Sequence, residues 1–93
     1  MSELVEVKAD VVLKNKYGLH ARPAAELVKL ANRFRSDVWI RKEDTEVSGK
    51  SIMGVMMLAA ECGSTVEIRA RGEDSREAVD ALAQLIQNRF GED

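Results

Sequence analysis

Residues 65–71 read Thr65-Val66-Glu67-Ile68-Arg69-Ala70-Arg71. Val66, Ile68 and Ala70 alternate with Glu67, Arg69 and Arg71, so one face of this segment is apolar and the other is charged. A strand with one wet face suits an antiparallel sheet whose helices all pack on the other side. The same alternation recurs upstream. Over residues 4–13, Val5, Val7, Ala9, Val11 and Leu13 oppose Glu6, Lys8 and Asp10; from Asp37 to Lys42, Val38 and Ile40 oppose Trp39 and Arg41. A shorter strand over 46–49 follows the polar turn Glu43-Asp44-Thr45.

Between the strands the period changes. Residues 21–34 carry Ala24, Leu27, Val28, Ala31 and Phe34 at the 3–4 spacing of an amphipathic helix. Ser51 to Leu58 reads as a short helix with a serine at its start. Asp74, with Glu77 three residues on, has the spacing of a capping box and opens a last helix whose apolar stripe is Val79, Leu82, Leu85, Ile86 and Phe90. The order is β-α-β-β-α-β-α. It predicts an α+β open-faced sandwich, a four-stranded antiparallel sheet with three helices on one face. A ferredoxin-like arrangement shares most of this order, and pattern alone does not separate the two.

Composition bounds the function. Ninety-three residues form one domain, expected to span 1–93. Fourteen basic and 16 acidic residues leave a net charge of −2, with 45% hydrophobic residues. That balance argues against disorder and against a dedicated nucleic-acid binder, which presents a strongly basic face. The single cysteine, Cys62, excludes an internal disulfide and a cysteine-based zinc site, and the single histidine supplies no metal cluster. Met1 to Glu6 lacks the basic and apolar regions of a signal peptide, and the longest apolar run, Val55 to Ala60, is too short to span a membrane. A cytoplasmic protein without membrane insertion, metal or cofactor is expected. Gly49-Lys50-Ser51 resembles the end of a P-loop, but Asp44 stands where the first glycine is required.

The segment Gly18-Leu19-His20-Ala21-Arg22-Pro23-Ala24 is the most informative. It places His20 where a loop becomes a helix. The first-turn amides of a helix have no internal partners, and with the positive end of the dipole they favour an anion. Pro23 fits a first turn, where an amide hydrogen is not needed. Arg22 adds forked donors suited to phosphate oxygens. The plainer alternative, a capping or surface histidine, does not explain the adjacent arginine. Similarly, Ser51 alone reads as an N-cap. The helix after it is apolar on nearly every side, so some of Ile52, Met53, Met56 and their neighbours must be exposed, and methionine suits a surface that meets several partners.

Gly18 to Ala24, together with Gly49-Lys50-Ser51-Ile52-Met53-Gly54-Val55-Met56, resembles the HPr family of histidine-containing phosphocarriers of the bacterial phosphoenolpyruvate-dependent phosphotransferase system. The resemblance runs from about Val5 to Phe90 and favours the open-faced sandwich. It implies that His20 accepts a phosphoryl group from enzyme I, on Nδ1, and passes it to EIIA domains. It implies further that Arg22 stabilises the phosphate and that Ser51 is a regulatory phosphoserine, a substrate of HPr kinase/phosphorylase. Ile52, Met53 and Met56 match the family's partner surface. A carrier of this kind is not an autonomous enzyme and is expected to be a monomer. A regulatory HPr-like protein of the nitrogen-related branch is the alternative to sugar phosphotransfer. A ferredoxin-like nucleic-acid module is disfavoured by the 4% aromatic content. Tyr17 departs from the family, which often carries a small polar residue there. Arg33 and Arg35 read as complements to the negative end of the first helix, Cys62 as an apolar filler or loop residue, and Arg69 and Arg71 as a solvated strand face.

Overall fold

The alternating segments become a four-stranded sheet in the computed structural model, which describes residues 5–91. Elements run β1 (Val5–Val12), α1 (Ala21–Ala31), β2 (Asp37–Lys42), β3 (Thr45–Ser48), α2 (Ile52–Met57), β4 (Thr65–Gly72) and α3 (Ser75–Gln87), with a short 3-10 turn at Arg89–Gly91. The start of the first strand at Leu4, the reading of Met1 to Leu4 and the outer ends of the 1–93 domain lie outside the described residues. The strand order is β1-β4-β2-β3 and every pairing is antiparallel. The order settles the fold as the expected open-faced sandwich.

Registry puts the apolar sets on one face. Ala9 lies opposite Ile68 and Val38 opposite Ala70, and Ile40, Val66, Ile68 and Ala70 are fully or almost fully buried. Helix α3 packs on β1 and β4, and α1 packs on α2 and α3. Leu27, Ala31, Val79, Leu82 and Ile86 fill the layer between helices and sheet, while Leu85 and Phe90 are only half-buried.

One helix end and one helix cap differ from the sequence reading. Helix α1 ends at Ala31, not at Phe34. The backbone amide and the side-chain amide of its C-cap, Asn32, both donate to the Val28 carbonyl at 2.9 Å where the helix stops. Phe34 still packs against the core from the turn beyond. Arg33 and Arg35 therefore stand outside the helix, and the exposed Arg35 pairs with Glu73 at 3.8 Å. Asp74 is the N-cap of α3, but its side chain makes no capping bond there. Its carboxylate instead accepts from the Arg35 and Ser36 amides, both at 2.9 Å, and from the Ser36 hydroxyl at 2.6 Å. Those donors, the Ser36 hydroxyl first, lower the Asp74 pKa to about 2. The turn between α1 and β2 is thereby clamped to the start of α3. Gly72 (φ +150°) packs so closely on Ser36 that a Cβ would lie 2.8 Å from its Cα, so only glycine fits.

The open face is not a uniformly solvated one. Arg69 of β4 donates to Glu46 of β3 at 2.9 Å and to Glu6 of β1 at 3.0 Å, and its guanidinium lies 3.9 Å from the ring centroid of Trp39 of β2. One side chain from each strand thus meets at Arg69. The hydrogen bond to Glu46 is the largest cause of its raised pKa.

Candidate functional site at the start of the first helix

His20 is the N-cap of α1, with an extended backbone (φ −74°, ψ −177°) and a partly exposed side chain. Its carbonyl accepts the Ala24 amide at 3.0 Å, the first bond of the helix. Ala21 and Arg22 are the first two helical residues, so their amides have no partner within the helix. Pro23, the third, has no amide hydrogen and is buried. No acidic residue occupies the first turn, so no carboxylate competes there for an anion. Arg22 is exposed and, among the described residues, forms no ion pair. His20 and the exposed first-turn residues Ala21 and Arg22 thus lie at one helix end.

The loop before His20 is pinned on both sides. The buried Asn15 side-chain amide donates to the Gly18 carbonyl at 2.6 Å, and the Gly18 amide donates back to the Asn15 carbonyl at 3.2 Å. Gly18 has φ +63°, and a Cβ there would overlap the Ala60 carbonyl. The Leu19 amide donates to that same carbonyl at 2.8 Å. The Tyr17 ring meets the His20 imidazole edge-to-face, with centroids 5.8 Å apart at 87°.

Ser51 lies at the far end of the helix pair. Its hydroxyl accepts the Gly54 amide at 3.1 Å, so it is a true N-cap of α2. The Lys50 amine donates to the Phe34 carbonyl at 2.8 Å, placing the start of α2 beside the end of α1. The end of α2 leads to Ala60, which bonds Leu19 beside the start of α1. The two helices therefore run antiparallel, and His20 and Ser51 stand at opposite ends of the pair. Between them α2 presents Ile52, Met53 and Met56, all exposed, with Met53 at 73%. Met57, outside the partner set read from the sequence, is 76% exposed and continues that surface. The signal was present, because an all-apolar helix cannot bury every side, but which side faced out depended on the α1 contact. Only Val55 of α2 is buried. Cys62 is an exposed loop residue, not a core filler.

A chain with this fold and a histidine at the start of its first helix has clear relatives. The sequence pattern described as PTS HPr component phosphorylation site matches residues 7–88. The chain is 52% identical over 86 residues to phosphocarrier protein HPr of Cupriavidus necator, covering 92% of this chain and 97% of that one. It is similar in structure to HPr-C-His from Thermoanaerobacter tengcongensis, with a TM-score of 0.90 at 45% identity, covering 94% of this chain and 98% of the other. HPr from Bacillus anthracis gives a TM-score of 0.86 at 46% identity, covering 89% and 99%. The chain belongs to the HPr family, the phosphocarrier proteins of the phosphotransferase system.

Proposed function

We propose that His20 is the phosphoryl acceptor, taking the group from enzyme I and passing it to EIIA domains in phosphoenolpyruvate-dependent sugar phosphotransfer. The observation that carries this is that the partly exposed His20 caps a helix whose first two residues, Ala21 and Arg22, are exposed and whose first turn holds no acidic residue. The lone pair of His20 Nδ1 attacks phosphorus, a P–N bond forms, and the electron pair of the breaking bond returns to the donor. Transfer to the next acceptor reverses these roles, so no redox partner or metal is required. The amides and Arg22 meet the phosphoryl oxygens. A helix terminus stabilises an anion by about 0.3–1 kcal/mol, enough to orient the group without trapping it. A carrier needs that balance, because an over-stabilised phosphohistidine could not hand the group on.

The exposed side chains of Ile52, Met53, Met56 and Met57 form the docking surface that enzyme I and EIIA domains share. Ser51, at the edge of that surface, is the regulatory phosphorylation site for HPr kinase/phosphorylase. Because Ser51 stands at the other end of the helix pair from His20, a phosphate there acts on docking, not on the imidazole itself. The reading places the protein in the cytoplasm. Incubation with enzyme I and phosphoenolpyruvate, followed by intact mass measurement, tests it. Wild type gains one acid-labile phosphoryl group and His20→Ala gains none; labelling of the alanine variant to the same extent would refute the assignment.

A further inference from the structure

We propose that Tyr17 is a positioning residue for phosphoryl transfer, its ring holding the His20 imidazole in the orientation that receives the group. The proposal rests on the reading of His20 as acceptor. An imidazole on two rotatable side-chain bonds samples many directions, and in-line attack uses few of them. The Tyr17 ring lies edge-to-face with His20 at 5.8 Å between centroids, within the range of a favourable aromatic pair.

Tyr17 is 67% exposed, so core packing does not hold its ring in place. Two local features do. The Lys16 ammonium lies 5.2 Å from the Tyr17 ring centroid, a cation–π contact. The backbone on the C-terminal side of Tyr17 is fixed by the Asn15–Gly18 bonds and by Leu19 on Ala60. The ring therefore projects from a closed turn towards the imidazole. Being uncharged, it restrains His20 without competing with an incoming phosphoryl group for Arg22 or the helix amides. A carboxylate at this position would compete for them.

The test compares Tyr17→Phe and Tyr17→Ser with wild type by NMR of the His20 ring protons and by steady-state phosphorylation with enzyme I and phosphoenolpyruvate. Tyr17→Phe keeps the ring, and both its His20 ring-proton shifts and its rate stay close to wild type. Tyr17→Ser loses the ring-current contribution to those shifts and lowers the maximal rate about three- to tenfold, with the half-saturating concentration little changed. Ring-proton shifts and rate unchanged in Tyr17→Ser would overturn the proposal. So would a Phe variant as slow as the Ser variant, which would assign the effect to the hydroxyl, or a loss confined to the half-saturating concentration, which would make Tyr17 a docking contact. Wild type that takes up no phosphoryl group overturns the carrier reading itself, and with it this proposal, and the wild-type control separates that failure from the others.

Discussion

Arg22 and Asp74 are both charged residues at helix starts, and their surroundings give them opposite tasks. Arg22 is exposed with no ion pair among the described residues, which leaves its guanidinium for the phosphoryl oxygens of the proposed transfer. Arg22→Ala is expected to lower the rate of phosphorylation by enzyme I roughly five- to tenfold, since a charge-assisted contact is lost at an exposed, screened site. Arg22→Lys recovers part of it, keeping the charge without the fork. Asp74 is committed to structure by its three hydrogen bonds. Its folded pKa of about 2 lies below the ordinary 3.8, so its contribution to stability is fully present above the ordinary value and is lost as pH falls through the folded one. Discounted for partial exposure, the contribution is about 1–2 kcal/mol. Asp74→Asn is expected to lose that much stability at neutral pH in urea denaturation. The gap to wild type should close as pH falls from about 4 towards 2; a gap independent of pH would show that the charge is not what matters.

At the scale of an element, α2 is six residues long and presents apolar side chains to solvent over most of its surface. So short a helix does not stand alone in water, and it is held by the Ser51 cap at one end and by packing on α1. Its exposed methionines cost little to leave uncovered singly, and together they form the apolar surface on which docking is proposed. Met53→Glu is expected to slow transfer from enzyme I by raising the half-saturating concentration, because a charge would be buried on docking. Ser51→Asp, mimicking the phosphate, is expected to do the same while leaving the fold intact, since aspartate also caps a helix. Titration with enzyme I under steady-state conditions reads both. A Ser51→Asp protein with wild-type kinetics would remove the regulatory role from Ser51, and wild-type kinetics in Met53→Glu would move the docking surface elsewhere.

Across the whole molecule, the sheet separates two regions of different purpose. The helical side carries His20 and the α2 surface; the open face carries the Arg69 cluster that links all four strands. Arg69→Ala is expected to cost about 1 kcal/mol, through lost ion pairs at a partly exposed site and the lost stack on Trp39. Trp39 is the only tryptophan, so its fluorescence reports the change directly. Phosphorylation of His20 should stay at the wild-type rate, since the apolar layer lies between the two faces; a large rate loss without unfolding would show that the faces are coupled.

The elements were legible because each strand with a wet face and each helix with an apolar stripe declares its period locally. The Val66, Ile68 and Ala70 alternation and the Leu27, Val28 and Ala31 stripe needed no distant partner to be read. His20, Arg22 and Ser51 were legible for the same reason, being tied to helix starts that short motifs specify. What the sequence left open depended on groups far apart in the chain. Asp74 has the spacing of a cap for its own helix, yet its carboxylate bonds residues 35 and 36, some 38 positions away. Arg69 looked like one more solvated charge until strand order brought Glu6, Glu46 and Trp39 around it. The contact of Tyr17 with His20 required the turn to close. Whether a segment is strand, helix or loop could be read from the residues alone, because that depends on neighbours within a turn or two. Strand order, the partners of the charges and which side of α2 faces solvent came from the folded chain, because hydrogen bonds and packing between distant segments form only after it has closed on itself.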